Sequence, residues 1–376
     1  MMKFIVSSQL LSKNLQNVTG IITTSKNMPI IENVLFTIEG FKLTLTATDL
    51  ETTVTSEIEL SESEGDGSIV IPAKLIVETI KTMADIPVIF NISENYSVEI
   101  VAGDAVYNLI GWDADQFPQK IEMGNINTFN ISSEHLINAI SNTAFATGNA
   151  EMRPVMAGVF CQLMPDDITF VATDAHRLVR YKNNTVKPGI EAPLIIPKKP
   201  LLLLKNIIPP NQEDISIAFD DLRVSFKVAS MSITSKLIEG KYPNYEAVIP
   251  NNNTNVLQID RLELLQKMRN ISLYANQSTH QVRLKIEAAK LTLTAEDIDY
   301  STKATVNIPC LFECEEEVFE IGFSSKFLQE MLSNLTTQEV IFKFSHPTAA
   351  GLIFEIKEEQ TEEDLLMLIM PVMLNN

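Results

Sequence analysis

A threefold internal repeat with a period of about 125 residues constrains this chain more than any other feature. Ser7-Ser8-x-x-Leu11-x-x-x-Leu15-x-Asn17 returns as Ser132-Ser133-x-x-Leu136-x-x-x-Ile140-x-Asn142, and more loosely as Asp260-Arg261-x-x-Leu264-x-x-x-Met268-x-Asn270. Leu43-x-Leu45-x-Ala47-Thr48-Asp49 becomes Ile168-x-Phe170-x-Ala172-Thr173-Asp174, then Leu291-x-Leu293-x-Ala295-Glu296-Asp297. Pro72-Ala73-Lys74, Pro197-Lys198-Lys199 and Ser324-Ser325-Lys326 form a third set. Phe117-Pro118, Tyr242-Pro243 and Met370-Pro371 form a fourth. The anchors step by 125 between the first two copies, and the third drifts by a few residues, as indels in loops would produce. The expectation is three tandem copies of one domain, bounded at 1–125, 126–252 and 253–376.

Each copy reads alike. Leu11, Leu15 and Val18 in the first, and Leu264, Met268 and Ile271 in the third, recur at helical spacing. Ser7 or Ser8, Ser132 or Ser133, and Asp260 are the matching N-cap candidates. Alternating strands follow, clearest at Leu43 to Ala47, and a second helix is expected over 72–83, 197–207 and 324–335. Pro72 and Pro197 stand where a first-turn proline is tolerated. Further strands close the unit, as at Ile215 to Val228 around an Asp220-Asp221 turn. Two helices plus antiparallel strands per copy make an α+β domain.

The charge is unevenly shared. The chain carries −19 overall, which by itself argues against nucleic acid, since phosphate is bound by Lys and Arg. Yet the six expected helices, Asp260 included, hold ten cationic and five anionic residues, leaving −24 for everything else. Two readings stand: lysine as a helix former on solvated faces, or a helical surface turned to a polyanion.

Catalytic signatures are absent. No phosphate-binding glycine loop, nucleophile elbow or His-Glu-x-x-His helix occurs. Cys310 and Cys314 have no second pair or nearby histidine to complete a metal site, and three cysteines are too few for a disulfide framework. Asp49, Asp174 and Asp297 each end a strand in their own copy and read as turn formers. The expectation is a non-catalytic protein with no cofactor and no metal. No basic-then-apolar leader or membrane-length apolar run is seen, so a cytoplasmic protein without membrane contact is expected.

Differences between copies mark where a specific site would lie. His176 and Arg177 occur only in the second copy, where the first has Glu51 and Thr52. Leu368-Ile369-Met370-Pro371-Val372-Met373-Leu374 is apolar almost to the chain end. It reads either as the last strand of the third domain or as part of an adaptable, methionine-bearing groove for short peptides.

Taken together, these residues resemble the bacterial DNA polymerase III beta subunit, the sliding clamps. The resemblance runs from Met2-Lys3-Phe4 to Met370-Pro371, and is densest at Val171 to Leu178, at Thr234 to Tyr245 and at Glu320 to Phe323. It implies the DNA-clamp fold: a ring closed by a head-to-tail homodimer, its helices facing double-stranded DNA. It implies no chemistry, but a processivity factor that tethers the replicative polymerase and other DNA-processing proteins. A clamp-loader ATPase complex, and replicative and repair polymerases acting through short linear motifs, are the implied partners. A peptide-binding three-domain scaffold that never encircles DNA is the alternative.

By the same resemblance the partner-peptide cleft comprises Met156, Thr173, His176, Arg177, Leu178, Pro243, Val248, Phe327, Ile369, Met370, Pro371, Val372 and Leu374. DNA would be met by Lys26, Lys74, Arg153, Lys198, Lys199, Lys267 and Arg269. The subunit interface would bring Tyr107 and Leu109 of one chain to Leu273 and Tyr274 of the other. This chain departs from the family pattern at Ala247, where a basic residue is common, and at Met373, where arginine is frequent. It also has Ala175 in place of a frequent glycine and extends past the usual terminal leucine by Asn375-Asn376.

Overall fold

A computed structural model describes residues 1–119, 122–210, 213–314, 317–356 and 362–374. The Asn375-Asn376 extension lies outside them. Six α-helices are found among the described residues: α1 Ser8–Thr19, α2 Ala73–Lys81, α3 Ser133–Thr143, α4 Lys198–Ile207, α5 Arg261–Ser272 and α6 Ser325–Asn334. They fall in the expected pairs, one pair per copy. Ser7 caps α1, its hydroxyl accepting from the Leu10 amide at 3.3 Å, and Asp260 caps α5, accepting from the Glu263 amide at 2.7 Å. Pro72 and Pro197 end the preceding strands, one residue earlier than expected, since fixed φ suits a strand end as well as a first turn. With Asp260 standing outside α5 as its cap, the helices hold ten cations against four anions. The charge split is therefore slightly sharper than the sequence count.

The chain divides into two compact units, Met1–Glu134 with Lys199–Leu237, and His135–Lys198 with Ile238–Asn376. Each is built the same way. In the first, a nine-stranded antiparallel sheet runs in the order Trp112–Asp113, Gly67–Pro72, Asn33–Glu39, Lys42–Thr48, Thr52–Glu59, Met231–Lys236, Arg223–Val228, Asp214–Phe219, Asn127–Ser132. In the second, the order is Ala192–Pro197, Gly158–Leu163, Ile168–Thr173, Arg177–Asn183, Glu363–Ile369, Gly351–Glu355, Glu339–Phe344, Asn255–Asp260, Leu311–Glu313. Each sheet thus fuses two successive copies of the repeat. The seams are Thr52–Glu59 against Met231–Lys236, and Arg177–Asn183 against Glu363–Ile369.

Each unit also holds a shorter sheet. The first unit's has five strands and ends at Ala105–Ile110; the second unit's has four and ends at Thr302–Pro309. The helices bury one apolar face each: Leu11, Leu15 and Val18 from α1; Leu264, Leu265, Met268 and Ile271 from α5; Leu328, Met331 and Leu332 from α6. Burying each such side chain is worth about 1.5–3 kcal/mol, so helix packing rather than propensity holds these short helices.

Asp49, Asp174 and Asp297 are turn formers, as their position at strand ends suggested. Asp49 Oδ1 accepts from the Glu51 and Thr52 amides, and Asp174 Oδ1 from the His176 and Arg177 amides. Asp297 Oδ1 accepts from the Asp299 and Tyr300 amides. Cys161 and Cys310 are free thiols, and burial raises that of Cys310 to about 11. Among the described residues no group of His, Cys, Asp or Glu could hold a metal ion, and no helix is long and apolar enough to cross a membrane.

Candidate peptide cleft

A buried apolar cluster lies at the seam of the second unit. Strand alternation sends Arg177 and Leu178 to opposite faces of the sheet. In register, Arg177 faces Ile369 and Leu178 faces Leu368. On the Leu178 side, Leu178, Leu366 and Leu368 join Val171, Leu352 and Tyr242 in one buried cluster. Tyr242 stacks on Phe160 with centroids 4.8 Å apart, and Tyr245 donates its hydroxyl to Gln162 Oε1 at 2.8 Å. Burial raises the Tyr242 phenol well above its ordinary range, so it stays protonated. The rim is apolar and open to solvent: Val248 is 55% exposed and Met370 41%. Pro243 and Pro371 are half-buried beside these residues in the chain.

At the end of the seam the turn 174–176 meets α6. The exposed His176 ring stacks on Phe327 at 5.9 Å with 20° between planes, and the His176 carbonyl accepts from the Met370 amide at 2.8 Å. Met156 follows from the 3₁₀ segment Pro154–Ala157. Its carbonyl accepts from the Gly148 amide at 2.7 Å, and a side chain at Gly148 would touch both Asp174 and Met156. Beyond Met370 the chain runs along Phe319–Ser324, where the Val372 amide donates to the Gly322 carbonyl at 2.8 Å. A Cβ at Gly322 would lie 2.6 Å from the Val372 carbonyl and 2.7 Å from Leu374, so only glycine admits the tail there.

The structure therefore gathers Met156, His176, Phe327 and Met370 around the turn 174–176, with Leu178 in the apolar cluster of the same seam, while Val372 and Leu374 lie against Gly322, where Leu374 lines a cavity with Asn276, Gln281 and Asp299. Three of the other expected residues are buried. Thr173 is buried, and its hydroxyl donates to the Arg177 carbonyl at 2.6 Å inside the turn. Ile369 is fully buried on the sheet face opposite Leu368. Arg177 is buried too, its guanidinium turned to α6. Tyr242, Tyr245, Leu352 and Glu330 belong to this region and were missed: nothing local in their sequence separates them from ordinary core or helix-surface residues.

The cations are more scattered. Lys26, Lys74, Arg153 and Arg269 are exposed, and Lys198 and Lys267 are half-buried. Lys199 is already held, its ammonium 2.6 Å from Asp49 Oδ2 and donating to the Ile21 carbonyl at 2.7 Å. Of the expected interface residues, Leu273 is 84% exposed, with Tyr107 and Tyr274 also exposed and Leu109 half-buried.

A doubly repeated seam, helices in pairs and a buried apolar cluster at the second seam define a repeat protein of clamp architecture. Family comparisons agree. The N-terminal domain of the DNA polymerase III beta subunit matches residues 2–121, the central domain 130–244 and the C-terminal domain 246–372. The chain is 28% identical over 375 residues to the beta sliding clamp of Haemophilus influenzae and 26% over 382 to that of Pseudomonas aeruginosa, in each case covering 99% of this chain and all of the relative. Crystal structures of the sliding clamps of P. aeruginosa and Bacillus subtilis superpose over the whole of both chains with a TM-score of 0.92 at 26% identity. The chain belongs to the DNA polymerase III beta subunit family.

Proposed function

We propose that the chain works as a sliding clamp: two copies close head to tail around duplex DNA, and the second unit's cleft tethers polymerases and other DNA-processing proteins. The incomplete sheets carry this reading. Each nine-stranded sheet is completed by pairing a strand of one copy, Thr52–Glu59 or Arg177–Asn183, with the last strand of the next, Met231–Lys236 or Glu363–Ile369. Thr302–Pro309 is the third copy's equivalent of the former, and Ala105–Ile110 the first copy's equivalent of the latter. Both are unpaired edges among the described residues, and such edges invite pairing with another chain. Joined across two chains, four strands and five make nine again. Leu273 and Tyr274 flank one of these edges, the Tyr274 carbonyl accepting from the Thr302 hydroxyl at 3.5 Å, and Tyr107 stands on the other.

In this reading the three domains meet near residues 125 and 252, and the basic helices face phosphate while the acidic remainder faces solvent. The exposed Lys26, Lys74, Arg153 and Arg269 would supply a few backbone contacts, with Lys198 and Lys267 beside them and Lys199 held by Asp49. Few phosphate contacts give weak, salt-sensitive and sequence-independent affinity, which suits a ring that must move. Retention then comes from topology. The clamp itself carries out no reaction; it raises a polymerase's effective concentration at the primer end. A cytoplasmic location and a loader ATPase that opens the ring follow from that role, and short linear motifs would anchor through apolar side chains. Sedimentation velocity with negative-stain microscopy tests the ring. Closed dimers with a central hole are expected, whereas monomers persisting at high concentration would leave a peptide-binding scaffold.

A further inference from the structure

Resting on the cleft reading above, we propose that Glu330 is a positioning residue for partner binding: it fixes Arg177 so that Phe327 and His176 stand at the cleft's end. The Arg177 side chain is only 6% exposed. Its Nε donates to Asp174 Oδ2 at 3.2 Å and its Nη2 to the Phe145 carbonyl at 3.0 Å. Its Nη1 lies 2.7 Å from Glu330 Oε2, an ion pair whose angle falls outside hydrogen-bond geometry. The guanidinium carbon sits 5.2 Å from the Phe145 ring centroid and 4.7 Å from that of Phe327. The cation therefore lies over two rings and is paired with two carboxylates, and its burial turns it away from solvent.

Glu330 and Phe327 lie three residues apart on α6, so carboxylate and ring grip the same cation from one helical turn. Phe327 in turn supports the His176 ring, and the His176 carbonyl holds the Met370 amide. Arg177 thus joins Phe327, His176 and Met370 into one network whose outer anchor is Glu330, half-exposed at 38%. Removing one partner of a buried cation leaves charge uncompensated. The guanidinium then turns toward its remaining acceptors, and Phe327 loses the cation that seats its ring. Sequence alone hides this, because an acidic residue on a helix surface ordinarily needs no explanation.

The test uses the full chain and griselimycin, with which the sliding clamps of P. aeruginosa and Bartonella birtlesii have been crystallised. By calorimetry, Glu330→Gln should bind griselimycin about tenfold more weakly, and Glu330→Asp should recover part of that loss. Phe327→Ala should lose more. In the double variant Glu330→Gln/Phe327→Ala the losses should not add, because Glu330 acts through the ring. Additive losses, or Glu330→Gln binding like the unaltered chain while Phe327→Ala is weakened, would overturn the positioning role alone. If Phe327→Ala binds normally, or the unaltered chain does not bind, the cleft reading itself fails.

Discussion

The two seams share a backbone and differ in what they display. At the first, the Lys236 amide donates to the Glu51 carbonyl at 2.9 Å; at the second, the Met370 amide donates to the His176 carbonyl at 2.8 Å. The turns match as well. Thr48 Oγ1 donates to the Thr52 carbonyl as Thr173 Oγ1 does to that of Arg177, and Leu50 and Ala175 both take positive φ, 75° and 74°. The side chains part company. Where the second seam places Leu178, Arg180, Leu366 and Leu368, the equivalent register of the first holds Thr53, Thr55, Ser232 and Thr234. Those hydroxyls satisfy one another, Thr55 with Ser232 at 2.6 Å and Thr234 with Ser225 at 2.9 Å. A cavity of about 450 Å³ opens at the first seam, where Thr46, Thr53, Thr55, Ser232 and Thr234 line it together with Leu35 and Leu50. Repetition supplied one scaffold twice, and the side chains set on it differ.

Carrying the first seam's residues into the second should have the largest effect. Leu178→Thr with Leu368→Thr buries two hydroxyls in an apolar cluster and removes the cleft's base. Each change should cost about 2–5 kcal/mol by analogy with large-to-small core substitutions. Thermal unfolding should shift down by several degrees and griselimycin binding should vanish in calorimetry. Binding that survived in the folded double variant would show that the seam's leucines are not part of the cleft.

The reverse exchange should do little. Thr53→Leu with Thr234→Leu places two leucines on the first seam, where they stay half-exposed, so stability should change by less than about 1 kcal/mol. Calorimetric stoichiometry should remain one ligand per chain. The first seam's turn offers Glu51 where the second has His176, and its counterpart of Arg177 is Thr52. A second binding event would mean that apolar seam residues suffice by themselves, and would demote the His176–Phe327 stack to an accessory.

How far the sequence foretells these features depends on the range of the interaction. Capping at Ser7 and Asp260, and the turns at Asp49, Asp174 and Asp297, are local, and strand-end spacing reveals them. The repeat exposes the copies because it is written along the chain. Fusion of successive copies into nine-stranded sheets joins residues far apart in sequence, so no local pattern announces it. The family resemblance brings His176, Leu178, Phe327 and Met370 to attention, but it groups Arg177 with Leu178 although strand alternation turns them to opposite faces. Glu330 becomes visible only once α6 is seen against Arg177.

The smallest effect sets the two turns side by side. A left-handed conformation costs an L-residue about 1–2 kcal/mol, and glycine removes that strain while adding entropy to the unfolded chain. Ala175→Gly and Leu50→Gly should therefore each stabilise by about 0.5–1 kcal/mol, raising the midpoint of thermal unfolding by about 1–4 °C in differential scanning fluorimetry. Ala175 is exposed, so no packing is lost there; Leu50 is 45% exposed and gives up some apolar contact, so its gain should be the smaller. Equal gains would mean that Leu50 packs on nothing that matters. A loss at Ala175 would mean that its methyl restrains His176 more than the strained φ costs, in which case griselimycin affinity should fall with it. Strain at that turn would then belong to the cleft rather than to the fold.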